Sequence, residues 1–129
     1  MAHAYYHAKS SARKFGGTWE DYIELHSFMD STKSHIPDNR HRLVLHNSWG
    51  IFFVEKIFGP VWVRPSDGKQ VPTRVILEQH VLEDLRTIPT LAECFARVPL
   101  DSDLSRNALP LSRMEEECRY HSAENSCPN

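Results

Sequence analysis

Residues 37–60, PDNRHRLVLHNSWGIFFVEKIFGP, decide the fold. Pro37-Asp38-Asn39 is turn chemistry, and beyond it Leu43, His46, Gly50, Val54 and Ile57 recur at helical spacing until Gly59-Pro60 breaks the run. This reads as one long helix, the most apolar of the chain and central in its packing. Val61-Trp62-Val63, Pro65-Ser66-Asp67-Gly68 and the run from Val71 then spell a β-prone segment, an Asp-Gly turn and a second β-prone segment, which predicts a short hairpin. Pro72 confines its second strand to an edge.

Working outward, Ala2 to Phe15 is a helix-tolerant stretch stopped by Gly16-Gly17. Thr18 is a good N-cap, and Glu20 and Asp21 suit the first turn of a second helix with an apolar stripe of Trp19, Tyr22, Leu25 and Met29. C-terminal to the hairpin, Leu77, Val81, Leu85 and Ile88 mark a fourth helix over Ile76–Ile88, and Pro89-Thr90 opens a fifth from Leu91 to about Val98. The expectation is a mainly α domain over residues 1–98, a bundle of about five helices with one short β-hairpin between helices three and four. From Pro99 the pattern dissolves into polar residues and a Glu115-Glu116-Glu117 run, so residues 99–129 read as a flexible or locally ordered tail.

The chain has 129 residues, 40% of them hydrophobic and 25% charged, which suits one globular domain. Its formal charge of −2 offers no basic surplus for a phosphate backbone, which argues against nucleic-acid binding. The longest apolar run, Ile51 to Val54, is too short for a membrane span. Three cysteines, Cys94, Cys118 and Cys127, are an odd and sparse set that fits a reducing, cytoplasmic setting.

Eight histidines are the anomaly. Residues four apart share a helix face, and the chain carries the pairs His3/His7, His26/Asp30 and His80/Asp84 in three separate predicted helices. The third helix adds His46 inside its apolar stripe, beside Gly50, whose small size leaves room for a neighbouring group. Helical bundles build metal sites from such pairs on facing helices. The candidate ligands are therefore His3, His7, His26, Asp30, His46, His80 and Asp84. Imidazole with carboxylate suits zinc first, with iron or manganese as alternatives. The plainer reading of each pair is an ordinary stabilising contact, and no H-E-x-x-H or paired C-x-x-C motif is present.

Arg40-His41-Arg42, with Lys33, forms a candidate anion site, because guanidinium forks match phosphate and carboxylate; the plainer and favoured reading pairs these cations with Asp30, Asp38 or Glu55 within the fold. Glu78, two residues before His80, or Asp84 is the candidate general base if a bound ion activates water. In the tail, Cys118, His121 and Cys127 offer three of the four ligands of a zinc knuckle.

Several of these stretches together resemble a family. HAYYHAKSSARKFGG over residues 3–17, His26 to Lys33, Arg40-His41-Arg42 with His46 and Gly50, Glu78-Gln79-His80 and Glu83-Asp84-Leu85 are similar to an uncharacterised, His-rich family of small bacterial and phage proteins, a domain of unknown function. The resemblance runs from His3 to about Ala96. Members of that family end soon after the last helix, whereas this chain continues from about Pro99. No activity comes with the resemblance. Two functions are expected from the residues: a metal-binding helical protein, extending to a metal-dependent hydrolase of phosphoesters, or a non-enzymatic bacterial or phage accessory protein that binds a protein partner, with Tyr5, Tyr6 and Trp62 as contact aromatics.

Overall fold

Alanines, a cap and a double glycine build the first helix, α1 (Ala4–Phe15). His3 accepts from the Tyr5 N–H at its start, and Gly16 and Gly17 stop it with φ of +89° and +83°. The computed structural model describes residues 3–98 of the chain. After α1 come a 3-10 turn at Trp19–Asp21, α2 (Ile23–Met29), two further 3-10 turns at Ser31–Ser34 and Asn39–His41, then α3 (Arg42–Leu45) and α4 (Ser48–Phe58). The hairpin β1 (Val61–Val63) and β2 (Gln70–Pro72) leads directly into α5 (Thr73–Leu85), and α6 (Leu91–Phe95) follows. The expected mainly helical fold with a single hairpin is found. The tail expected over 99–129, with Cys118, His121 and Cys127, lies outside the described residues.

α5 starts and ends three residues earlier than the expected Ile76–Ile88, and α6 stops at Phe95 rather than near Val98, but the second and third helices differ most from the sequence reading. The second is reduced to α2 flanked by 3-10 turns, so Asp30 stands just past its end. The third is broken in two. Asn47 adopts extended backbone, accepts from the Gly50 N–H at 2.8 Å and donates to the carbonyls of Leu43 and Val44, so it closes α3 and caps α4 at once. Gly50 packs directly on the Leu45 carbonyl, where a Cβ would overlap it. The room left by this glycine is taken by the chain's own backbone.

The hairpin is antiparallel, with Trp62 opposite Val71. It serves as a clasp. Arg64, 5% exposed, donates to the Phe15 carbonyl at the end of α1, while Trp62 Nε1 donates to the Asp21 carbonyl at 2.7 Å. Asp21 in turn accepts from the N–H and hydroxyl of Ser66. Trp62 is therefore an internal anchor, although the sequence offered it as a contact aromatic.

Tyr22, Leu25 and Met29 of the predicted stripe are fully buried, and with Ala8, Leu45, Ile51, Val54, Ile76, Leu77 and Val81 they form the apolar core. α1, α2 and α5 pack on one another, and α4 packs on α5. α4 buries only Gly50, Ile51 and Val54, leaving Trp49, Phe52, Phe53 and Ile57 on an open face. An all-round apolar helix is expected to be central, and this one lies at the side of the core. No helix among the described residues is long and apolar enough to cross a membrane.

Candidate metal centre

Above the apolar core the interior turns polar. His7, His26, His41, His46 and His80 are all fully buried, an arrangement that requires partners for every ring nitrogen. Asp30 arrives from the end of α2, His46 from the break that Asn47 makes between α3 and α4, and His80 and Asp84 from successive turns of α5. Their ligand atoms all lie within 4.8 Å of one another. His80 Nε2 is 3.1 Å from His46 Nε2, 3.2 Å from Asp30 Oδ1 and 3.5 Å from Asp84 Oδ2. His46 Nε2 is 3.0 Å from Asp84 Oδ2 and 3.5 Å from Asp30 Oδ1. Donors bound tetrahedrally at about 2.0–2.1 Å stand about 3.3–3.4 Å apart, so these five edges are near the size of a zinc or iron site, while the sixth, between the two carboxylates, lies within 4.8 Å. Two imidazoles and two carboxylates also suit such ions chemically.

A hydrogen-bond chain fixes which nitrogen of His80 faces the tetrad. The Gln79 amide N–H groups point at two acceptors, the His7 carbonyl and Glu83 Oε1. Its Oε1 therefore faces Ser11, whose hydroxyl donates to it at 2.6 Å. With its one hydrogen used, Ser11 Oγ accepts from His26 Nε2 at 2.7 Å. In neutral His26 this leaves Nδ1 bare, and His80 Nδ1 donates to it at 2.8 Å. His80 Nε2 is then bare as well and aims its lone pair at two carboxylates. A partner on the far nitrogen that orients the near one is how metal-bound histidines are held.

Electrostatics agree with neutral rings along this chain. Burial, reinforced by neighbouring His80 and His7, pushes His26 down to about 2. Burial also takes His80 down to about 4, against the pull of Asp30. Burial opposes charge on His46 and His7 too, but hydrogen bonds to Asp30 and Asp84 for the first, and to Asp84 and Glu83 for the second, outweigh it and raise both. Asp30 and Asp84 would be raised by burial, yet their histidine partners hold both well below the usual carboxylate range. The outer carboxylate oxygens meet cations, Lys33 at 3.6 Å from Asp30 Oδ2 and Arg42 at 3.4 Å from Asp84 Oδ1.

The predicted pool is thus partly assembled. Asp30, His46, His80 and Asp84 form the tetrad. His26 orients His80 from behind, and His7 spans Glu83 and Asp84 at 3.1 and 3.2 Å with its ring tilted 33° to that of His80, centroids 4.0 Å apart. His3 is exposed at the helix cap and takes no part, because the residue before the first turn has left the helical face on which its pairing with His7 depended. The anion cluster does not form as a unit. Arg40 is exposed and forks onto Asp38, His41 turns inward, and Lys33 and Arg42 face the site carboxylates. Glu78 stands two residues from His80 and so on the opposite side of α5, beside Ile51, Phe52 and Arg74.

Ser11, Gln79 and Glu83 were not anticipated. Ser11 lies four residues after His7 on the face that also carries Ala4 and Ala8, and Gln79 and Glu83 are themselves four apart. One-turn spacing links them to the site all the same, Ser11 to His7 and Glu83 to Gln79, as groups that orient the histidines.

Residues 2–104 match the sequence model of a family described as Domain of unknown function (DUF6915). The chain belongs to that family. No curated protein and no solved structure matches it. The DUF6915 match spans all four tetrad residues and the whole Gln79–Ser11–His26–His80 chain.

Proposed function

We propose that this DUF6915 domain binds one divalent transition-metal ion between Asp30, His46, His80 and Asp84, with zinc or non-haem iron, and manganese next, as the ions its donors suit. One observation carries the reading. Asp30 Oδ1, Asp84 Oδ2 and the bare His80 Nε2 all converge within 3.5 Å of His46 Nε2, so three acceptors compete for a single N–H in a water-poor interior. An ion at their centre satisfies all four groups at once. Beside it, His41 Nε2 is a buried ring nitrogen without a hydrogen-bond partner among the described residues.

The burial of the tetrad favours an ion that holds α2, the α3–α4 link and α5 together over one that processes substrate. Hydrolysis of a phosphoester would need a base and an accessible water at the ion, and Glu78 faces elsewhere while Asp84 is taken up as a ligand. The test is elemental analysis of tag-free protein prepared without added metal. Near-stoichiometric zinc, iron or manganese is expected, lost separately in His46→Ala and His80→Ala. Metal-free protein that takes up none of these ions on refolding in their presence would overturn the reading.

The open apolar face of α4, with Trp49 and Phe53 stacked at 5.0 Å, is what favours the rival reading of a partner-binding accessory protein. Recovery of one stoichiometric protein partner by a metal-free chain would support that reading instead.

A further inference from the structure

We infer that His41 is a fifth ligand of this ion, which makes the donor set three imidazoles and two carboxylates. The inference rests on the metal reading above and specifies its coordination. His41 is fully buried, and the carbonyl oxygen of Asp38 lies 3.1 Å from its Nδ1. A carbonyl only accepts, so the ring hydrogen sits on Nδ1 and the lone pair on Nε2. Among the described residues that Nε2 has no hydrogen-bond partner, and it lies 3.6 Å from Asp30 Oδ1, the oxygen that His80 also faces. A bare imidazole nitrogen and a carboxylate oxygen both present electron density, and holding them face to face in the interior calls for a cation between them. Two equatorial donors of a five-coordinate ion with bonds of about 2.1 Å stand about 3.6 Å apart.

The local chain holds His41 in this pose. Asp38 caps the Asn39–His41 turn by accepting from the Arg40 N–H, and the Arg40 guanidinium forks onto the same carboxylate. Thr32 Oγ1 donates to the His41 carbonyl at 3.0 Å, and the His41 ring meets His46 edge-on at 5.5 Å. The surface pair Arg40/Asp38 is thereby a support for a buried ring, with a backbone carbonyl orienting it from behind as His26 orients His80. Five nitrogen and oxygen donors move the preference from a tetrahedral zinc centre towards iron(II) or manganese(II), which accept higher coordination numbers.

Cobalt(II), loaded by refolding the full chain, tests this. Wild-type protein is expected to take one cobalt with the weak visible bands of a five-coordinate centre and to show three exchangeable imidazole N–H resonances shifted by the paramagnetic ion, from His41, His46 and His80. His41→Ala is expected to keep one cobalt, bind it roughly tenfold or more weakly, and change to the several-fold stronger bands of a tetrahedral centre. Tetrahedral bands or only two shifted N–H signals in the wild type overturn the assignment, and that measurement stands even if the variant does not fold. An affinity and spectrum unchanged in His41→Ala overturn it also. A wild-type chain that binds no cobalt removes the metal reading itself, a result distinct from either.

Discussion

Replacing Ser11 with alanine isolates the hydrogen-bond chain from the ligands themselves. The hydroxyl is fully buried, accepts from His26 Nε2 at 2.7 Å and donates to Gln79 Oε1 at 2.6 Å. Its loss leaves a ring nitrogen and an amide oxygen unpaired, each costing about 1–3 kcal/mol. Part of this is recovered. His26 without a partner at Nε2 moves its hydrogen to Nδ1, which obliges His80 to move its own to Nε2, where Asp30 accepts it. The net loss for the metal-free fold is then roughly 2–4 kcal/mol, a fall in Tm on the order of 10 °C for a domain of this size. Metal binding suffers separately, because the relaxed tautomer puts a hydrogen where the ion needs a lone pair, and a 10–100-fold weaker affinity is expected, the usual cost of an outer-shell orienting group. Thermal melts of the metal-free protein and competition with a chelator measure the two effects. A variant whose stability lies within about 0.5 kcal/mol of the wild type and whose metal resists chelator equally would refute the tautomer argument.

Stability of the metal-free chain should peak near neutrality. Below about pH 6.5 the unfolded chain protonates histidines that the fold keeps neutral at His26 and His80, so stability falls by about 1.4 kcal/mol per pH unit for each as the solution is acidified. His7 and His46, raised in the fold, act oppositely, adding stability below their unfolded pKa that is lost as pH rises through their folded values. Asp30 and Asp84, depressed in the fold, add stability above about pH 3.9 that is lost as the pH falls further. Urea melts across this range check it, and a flat profile between about pH 5 and 6.5 would contradict the neutral pair. Gly50→Ala should cost roughly 1–3 kcal/mol or more, because the added methyl meets the Leu45 carbonyl rather than a movable side chain; an unchanged denaturation midpoint would show that the α3–α4 link relaxes freely. Trp62→Phe should cost about 1 kcal/mol for the bond to the Asp21 carbonyl, read from the same melts.

What the sequence made legible was what short-range chemistry decides. Gly16-Gly17, the Asp67-Gly68 turn and the Thr90 cap end or begin elements through their own backbone preferences, and the structure has them there. The break at Asn47 was hidden because Leu43, His46, Gly50 and Val54 keep helical spacing straight across it; only the hydrogen bonds of one asparagine side chain mark the interruption. The pairs His26/Asp30 and His80/Asp84 pointed to the site because one-turn spacing survives small changes in helix ends. His3 failed the same rule by a single position. His41 was obscured by its company, since a histidine between two arginines suggests a charged surface, and nothing local announces that the chain buries the middle residue of the three.

Asp30, His46 and His80 are at most 7% exposed, and the tetrad draws on the end of α2, the α3–α4 link and α5. An ion held there exchanges only when these elements part, so its departure is timed by opening of the fold rather than by the lability of any one bond. A strong chelator would then strip the protein slowly, at a rate insensitive to chelator concentration once opening limits it. The ion present in a purified sample would record which metal was abundant while the chain folded, and a ranking of affinities measured at equilibrium need not predict it.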